Sequence, residues 1–113
     1  MRKVLIVSLA LLTIFLVSCG NTEPTNLDAF AECLAENGAT MYGAEWCSHC
    51  KDQKAMFGSA FENVDYVECT VEQQKCAESG ISGYPSWVFS DGSILAGVQQ
   101  FSTLAAKTGC VLN

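Results

Sequence analysis

Positive charge is scarce in this sequence: 6 Lys and Arg stand against 12 Asp and Glu among 113 residues, a formal net charge of −6. A nucleic-acid-binding protein needs a basic footprint to neutralise phosphates, and none is present. Proline is nearly absent, with 2 in the chain, and glycine recurs with no fixed period, so collagen-like architectures are excluded. With 50% apolar residues the chain is not of the disordered class, and its length allows one small domain. No internal repeat or low-complexity segment interrupts it.

What is present begins with an apolar run. Arg2 and Lys3 precede Val4 to Val17, broken only by Ser8 and Thr13, and small residues follow at Ser18 and Gly20. The run is too short for a spanning helix and has the layout of a secretory signal peptide, residues 1–18. Its end, Leu16-Val17-Ser18-Cys19, resembles the lipobox of bacterial lipoproteins, where the cysteine takes a thioether-linked lipid and becomes the mature N-terminus. The alternative is an ordinary signal peptide with an incidental cysteine. The lipobox implies lipidation at Cys19, a tether over 19–26, and an extracytoplasmic, membrane-anchored lipoprotein on the periplasmic side or the cell surface. Loss of Arg2 and Lys3 leaves 4 basic residues against 12 acidic, a net −8 without arginine. Acyl chains, not charge, would hold such a domain to a membrane.

Seven cysteines is an odd number, and an odd cysteine in a secreted chain needs a use. Lipidation of Cys19 leaves Cys33, Cys47, Cys50, Cys69, Cys76 and Cys110. So many in a short secreted domain imply an oxidising compartment, where disulfides can staple a small core. Six cysteines allow fifteen pairings, and only the fold can choose among them.

Residues 27–113 read as the folded domain. Leu27, Phe30, Ala31 and Leu34 recur at helical spacing up to Asn37-Gly38. The apolar run 39–44 suits a strand of a sheet covered on both faces. Helix is expected over 47–57, ended by Gly58, then a strand over 64–69 and a short helix over 71–79. Pro85 opens a strand over 86–89, Asp91-Gly92 turns it into 93–98, and Ser102 caps a last helix ending at Gly109. The order is α-β-α-β-α-β-β-α.

The chemistry sits at Cys47-Ser48-His49-Cys50, where a buried strand meets a helix. Two cysteines at this spacing can close a small disulfide ring without distorting the helix. Backbone N–H groups at the helix start favour a thiolate on the first cysteine, and thiolate is the attacking species. Cys47 is therefore read as the exposed nucleophile and Cys50, one turn on and covered, as the resolving thiol. The bland alternatives are a structural bridge or half a metal site. Zinc would need a second close pair, but six residues separate Cys69 from Cys76, and haem attachment would need histidine where Lys51 stands.

Ala44-Glu45-Trp46-Cys47-Ser48-His49-Cys50-Lys51, followed by Gly83-Tyr84-Pro85, resembles the thioredoxin superfamily. Further pieces are Met41-Tyr42-Gly43-Ala44, Tyr66-Val67-Glu68-Cys69, Cys76, Gly80 to Trp87, Gly97-Val98-Gln99 and Gly109-Cys110. Together they resemble most the small thioredoxin-like domain associated with bacterial vitamin K epoxide reductase homologues. The resemblance implies an α/β, thioredoxin-like fold: a central mixed sheet of about four strands with flanking helices. Pro85 matches the superfamily's cis-proline, with Tyr84 offering backbone to an extended substrate, and Trp46 would be an apolar wall for it. His49 would stabilise the Cys47 thiolate, as in oxidative catalysts of the superfamily. Trp87 reads as core. Thioredoxins carry a buried acid six residues before the first cysteine, and Met41 stands there. Ser48 also departs from the associated group, which more often has proline.

The remaining cysteines read as staples: Cys69–Cys76 across one strand-to-helix connection, with a second redox relay as its alternative, and Cys33–Cys110 if the first and last helices cover the same region. The function implied is a thiol-disulfide oxidoreductase, monomeric and needing no soluble cofactor or metal. Its partners would be secreted proteins with thiols or disulfides, or a separate membrane protein like vitamin K epoxide reductase. The alternatives are a dedicated electron shuttle for one membrane enzyme, and a non-catalytic binding module in which Cys47–Cys50 is only structural.

Overall fold

The computed structural model describes residues 26–112. The expected signal peptide, Cys19 and nearly all of the tether lie outside the described residues. Among the described residues no helix is long and apolar enough to cross a membrane.

The first helix, α1 (Asn26–Glu36), buries Phe30, Ala31 and Leu34, which its 3.6-residue period places on one face. It stops at Gly38, whose φ of 78° belongs to the left-handed region. There the N–H of Gly38 reaches Ala35 O and the N–H of Ala39 reaches Leu34 O, which satisfies two orphan carbonyls. A side chain at 38 would also strike Ser90, because a Cβ there would lie 2.8 Å from Ser90 Cβ.

Four short strands follow: β1 (Thr40–Gly43), β2 (Asp65–Glu68), β3 (Ser86–Val88) and β4 (Ile94–Ala96). They form one sheet in the order β2-β1-β3-β4, with β1 parallel to β2 and the other neighbours antiparallel. The helices between them are α2 (Ser48–Phe57), α3 (Gln73–Glu78) and α4 (Phe101–Thr108), with a 3₁₀ segment at Gly58–Asn63 after α2.

One sheet face carries the main core. There Phe30 and Leu34 of α1, Phe57 of α2 and Leu104 of α4 pack with Met41 and Trp87 of the sheet. Phe57 is its aromatic hub, edge-on to Phe101 at 4.9 Å and to Phe61 at 6.1 Å. The other face gathers Tyr42 and Val67 with Cys69 and Cys76, so α3 covers it. Within the main core the fully buried Gln53 is completely bonded. Its Oε1 accepts from Trp87 Nε1 at 3.1 Å and from Gln99 N at 2.7 Å, while its Nε2 donates to Gln99 O at 3.1 Å.

Most element ends shift by one or two residues from the sequence reading, a 3₁₀ segment follows Gly58 where only a helix end was expected, and two of the shifts have a visible cause. Ser102 does not cap α4, which begins two residues earlier than such a cap implies, at Phe101, with Gln100 at the cap position and no side-chain cap bond. The bonds from Gln53 fix the backbone of Gln99, so the helix is already turning at Phe101. Similarly, α3 starts at Gln73 rather than Val71, because the N–H groups of Val71 and Glu72 both turn back to Glu68 O.

Two disulfides close the domain. Cys33 is bonded to Cys110, joining α1 to the residue just past the Gly109 that ends α4, and Cys69 is bonded to Cys76. With sequence separations of 77 and 7, loop-closure entropy gives them about 4–5 and about 2–3 kcal/mol as upper values.

Candidate redox site

The chain leaves β1 at Ala44 and turns, with Cys47 N–H donating to Ala44 O at 3.0 Å, before α2 begins. Cys47 is the N-cap of α2 in extended conformation, and its Sγ accepts the N–H of Cys50 at 3.1 Å. A sulfur thus occupies the place that Ser or Asp oxygen usually takes at a helix start. The bonded N–H and the start of the helix set the positive ends of backbone dipoles at that sulfur. Both cysteines are free thiols.

Cys50 lies on the buried side of α2 and is fully covered. Burial, reinforced by the bond and charge of Cys47 against the weaker pull of Ala44 and Lys54, pushes its thiol up to about 11. Cys50 is therefore a thiol at neutral pH. Cys47 is less open than an exposed nucleophile was expected to be: it is 6% accessible. As the cap of a helix packed on the core, it is covered from behind and borders a pocket.

That pocket has a volume of about 450 Å³. Trp46, Cys47, Ser48 and His49 line one side, and Ser82, Gly83 and Tyr84 line the other. Trp46 is 68% exposed and meets Tyr84 edge-on at 5.7 Å. The Tyr84–Pro85 peptide is cis, and Pro85 itself is buried beneath the rim. His49 shares the pocket but does not bond Cys47; its Nδ1 stands 3.8 Å from Asp52 Oδ2, both side chains largely exposed. Trp87 is core, held by Gln53. Among the described residues no cluster of three or more His, Cys, Asp or Glu could hold a metal ion.

A second group of polar residues stands behind the cysteines, and the sequence reading gave it no role. Tyr66 on β2 is the register partner of Met41, and Glu68 that of Gly43. The Tyr66 hydroxyl donates to Glu68 Oε1 at 2.8 Å, and Lys54 Nζ lies 4.1 Å from the centre of the Tyr66 ring. One signal was available: in a parallel pair, the residue beside a missing buried acid belongs to the next strand, and Tyr66-x-Glu68 alternates onto one face.

A protein-family model described as thioredoxin matches residues 21–107. The chain is 42% identical over 94 residues to thiol-disulfide oxidoreductase LTO1 of Arabidopsis thaliana, covering 75% of this chain and 25% of that protein. It is 34% identical over 61 residues to probable protein disulfide-isomerase ER-60 of Schistosoma mansoni, covering 45% of this chain and 13% of that protein. The chain thus spans a quarter or less of the length of these curated relatives.

Proposed function

This chain belongs to the thioredoxin family, and from that premise we propose that it is a thiol-disulfide oxidoreductase working outside the cytoplasm, anchored by lipid on Cys19. The observation that carries the activity is the placement of Cys47: a thiol at the N-cap of α2, its sulfur bonded by the Cys50 N–H, opening into a pocket walled by Trp46 and Tyr84. The names of the two relatives favour the same activity.

In the reducing direction, Cys47 thiolate attacks a substrate disulfide. A Cys47–substrate bond forms and the second substrate sulfur leaves as thiolate. Cys50 then loses its proton and attacks Cys47 Sγ, which releases the first substrate sulfur and closes Cys47–Cys50. Oxidation of a substrate runs the same steps backwards, and the reduction potential of the pair sets the direction. The partners are secreted proteins with thiols or disulfides, or a membrane protein like vitamin K epoxide reductase. The lipobox and the sequence pieces shared with that group support this reading. Trp46 and Tyr84 give an extended substrate an apolar wall at the attacking sulfur.

The test is exchange with a model peptide carrying one disulfide or two thiols. The wild type reduces or oxidises it, and Cys47→Ala does neither. A wild type inert in both directions would leave the pocket as a binding module and remove the enzyme reading.

A further inference from the structure

Resolution of the mixed disulfide needs a thiolate from a buried sulfur, and the exchange described above assigns no acceptor for its proton. The space over Gly43 shows what borders that sulfur. A methyl group at Gly43 would stand 3.0 Å from the Tyr66 hydroxyl and 3.1 Å from Cys50 Sγ, so thiol and phenol face the same small volume. The Tyr66 proton is committed to Glu68 Oε1, which leaves the phenol oxygen able to accept. The carboxylate is itself fixed: Glu68 Oε2 accepts from Glu45 N at 3.1 Å, Thr70 N at 3.2 Å and Thr70 Oγ1 at 3.0 Å. Every donor in this chain of bonds is spent on Glu68.

From this geometry we infer that Tyr66 is the exit for the Cys50 proton. As Cys50 Sγ attacks Cys47 Sγ, the thiol proton passes across one water in the space over Gly43 to the Tyr66 oxygen, and the Tyr66 proton passes to Glu68. The Cys47–substrate bond breaks, the Cys47–Cys50 bond forms, and the electron pair leaves on the substrate sulfur. Tyr66 ends as it began, and Glu68 returns the proton to solvent. The inference rests on the proposed reading of Cys50 as the resolving thiol.

The charges around the path suit it. Cys47 and Lys54 face Cys50 and Tyr66 from α2, and Glu68 faces them from β2, while β1 presents Met41 and Gly43, which do not titrate. Burial, then the bond to Glu68 and its charge, raises the Tyr66 phenol well above its ordinary value, so it stays protonated and relays rather than ionises. Partial burial works to raise Glu68, but bonds from Tyr66, Thr70 and Glu45 outweigh it and hold the carboxyl below its usual range, so it is ionised and holds the relayed proton only in passing. The Lys54 cation, held over the Tyr66 ring, favours negative charge on Cys50 as the proton leaves.

Stopped-flow mixing of the reduced protein with excess aryl disulfide separates the steps. A bimolecular phase releases one aryl thiolate as Cys47 attacks, and a first-order phase releases the second as Cys50 closes the ring. Tyr66→Phe keeps the ring beneath Lys54 and removes only the hydroxyl. Its second phase should fall about 10²-fold, as should that of Glu68→Gln, while the first phase moves less than about twofold. The pH profile of the second phase should be flat in the wild type between about pH 6 and 9. In Tyr66→Phe it should climb about tenfold per unit, because hydroxide replaces the relay. An unchanged second phase with a flat profile in Tyr66→Phe overturns the inference, and so does an equal fall of both phases. A wild type with a first phase and no second would instead remove the resolving role of Cys50, and the relay with it.

Discussion

The indole Nε1 of Trp87 donates to Oε1 of Gln53 at 3.1 Å, an amide that α2 carries one turn after Cys50. The bond ties the redox helix to the strand that follows Tyr84 and Pro85, and so holds the two walls of the pocket in one frame.

Gln53→Leu should therefore cost more than an ordinary core change. It keeps the volume but leaves Trp87 Nε1 and Gln99 N without their partner, at about 1–3 kcal/mol for the buried indole N–H and less for the partly exposed Gln99 N–H. A denaturant midpoint within error of the wild type would show that the bonds do not stabilise the fold.

The two thiols should behave differently when removed. Cys50→Ala leaves Cys47 able to attack but unable to be released, so mixed disulfides through Cys47 should accumulate on secreted proteins or a membrane partner. Cys47→Ala should trap little. Non-reducing gels and mass spectrometry of protein taken from cells read the outcome, and trapping through Cys50 instead would reverse the assigned roles.

Cys50 gives the reduced form a definite pH dependence. Its folded value, about 11, lies above the ordinary 9.0, so the folded state holds the proton more tightly than the unfolded state. This contribution to stability is fully present below pH 9.0 and is lost as pH rises toward 11. The stability advantage of reduced wild type over reduced Cys50→Ala should shrink across that window in urea titrations. A constant difference would contradict the raised value.

The anchor is tested by Cys19→Ala. The variant should no longer partition with membranes or take up labelled fatty acid, whereas Cys33→Ala and Cys110→Ala should still do both. Membrane retention by Cys19→Ala would exclude lipid on that residue.

The element order was legible because each segment carries a local signal: the period of Phe30, Ala31 and Leu34, the stop at Gly38, and the Asp91-Gly92 turn. The staple pairings were legible only after the elements were placed: Cys69 and Cys76 flank one strand-to-helix connection, and Cys33–Cys110 required α1 and the end of α4 to meet, and both bonds are formed. The redox pair was legible because both cysteines sit within one helical turn. Tyr66 and Glu68 showed only that they share one face of a strand, because their approach to Cys50 depends on the register of a parallel pair that no turn specifies. Gln53 was hidden for a similar reason: a glutamine inside a helix reads as surface unless its bonding partners, Trp87 and Gln99, are brought beside it.

The bond between Cys33 and Cys110 also decides how the domain bears a mechanical load. A pull on its two ends enters α1 and crosses from sulfur to sulfur into the segment after α4. Every strand, the Cys47–Cys50 pair and the Cys69–Cys76 bridge lie inside the closed loop. While the bridge is intact, stretching can peel only the residues before Cys33 and after Cys110. Tension on a tethered chain would pass around the redox site and leave its geometry unstrained.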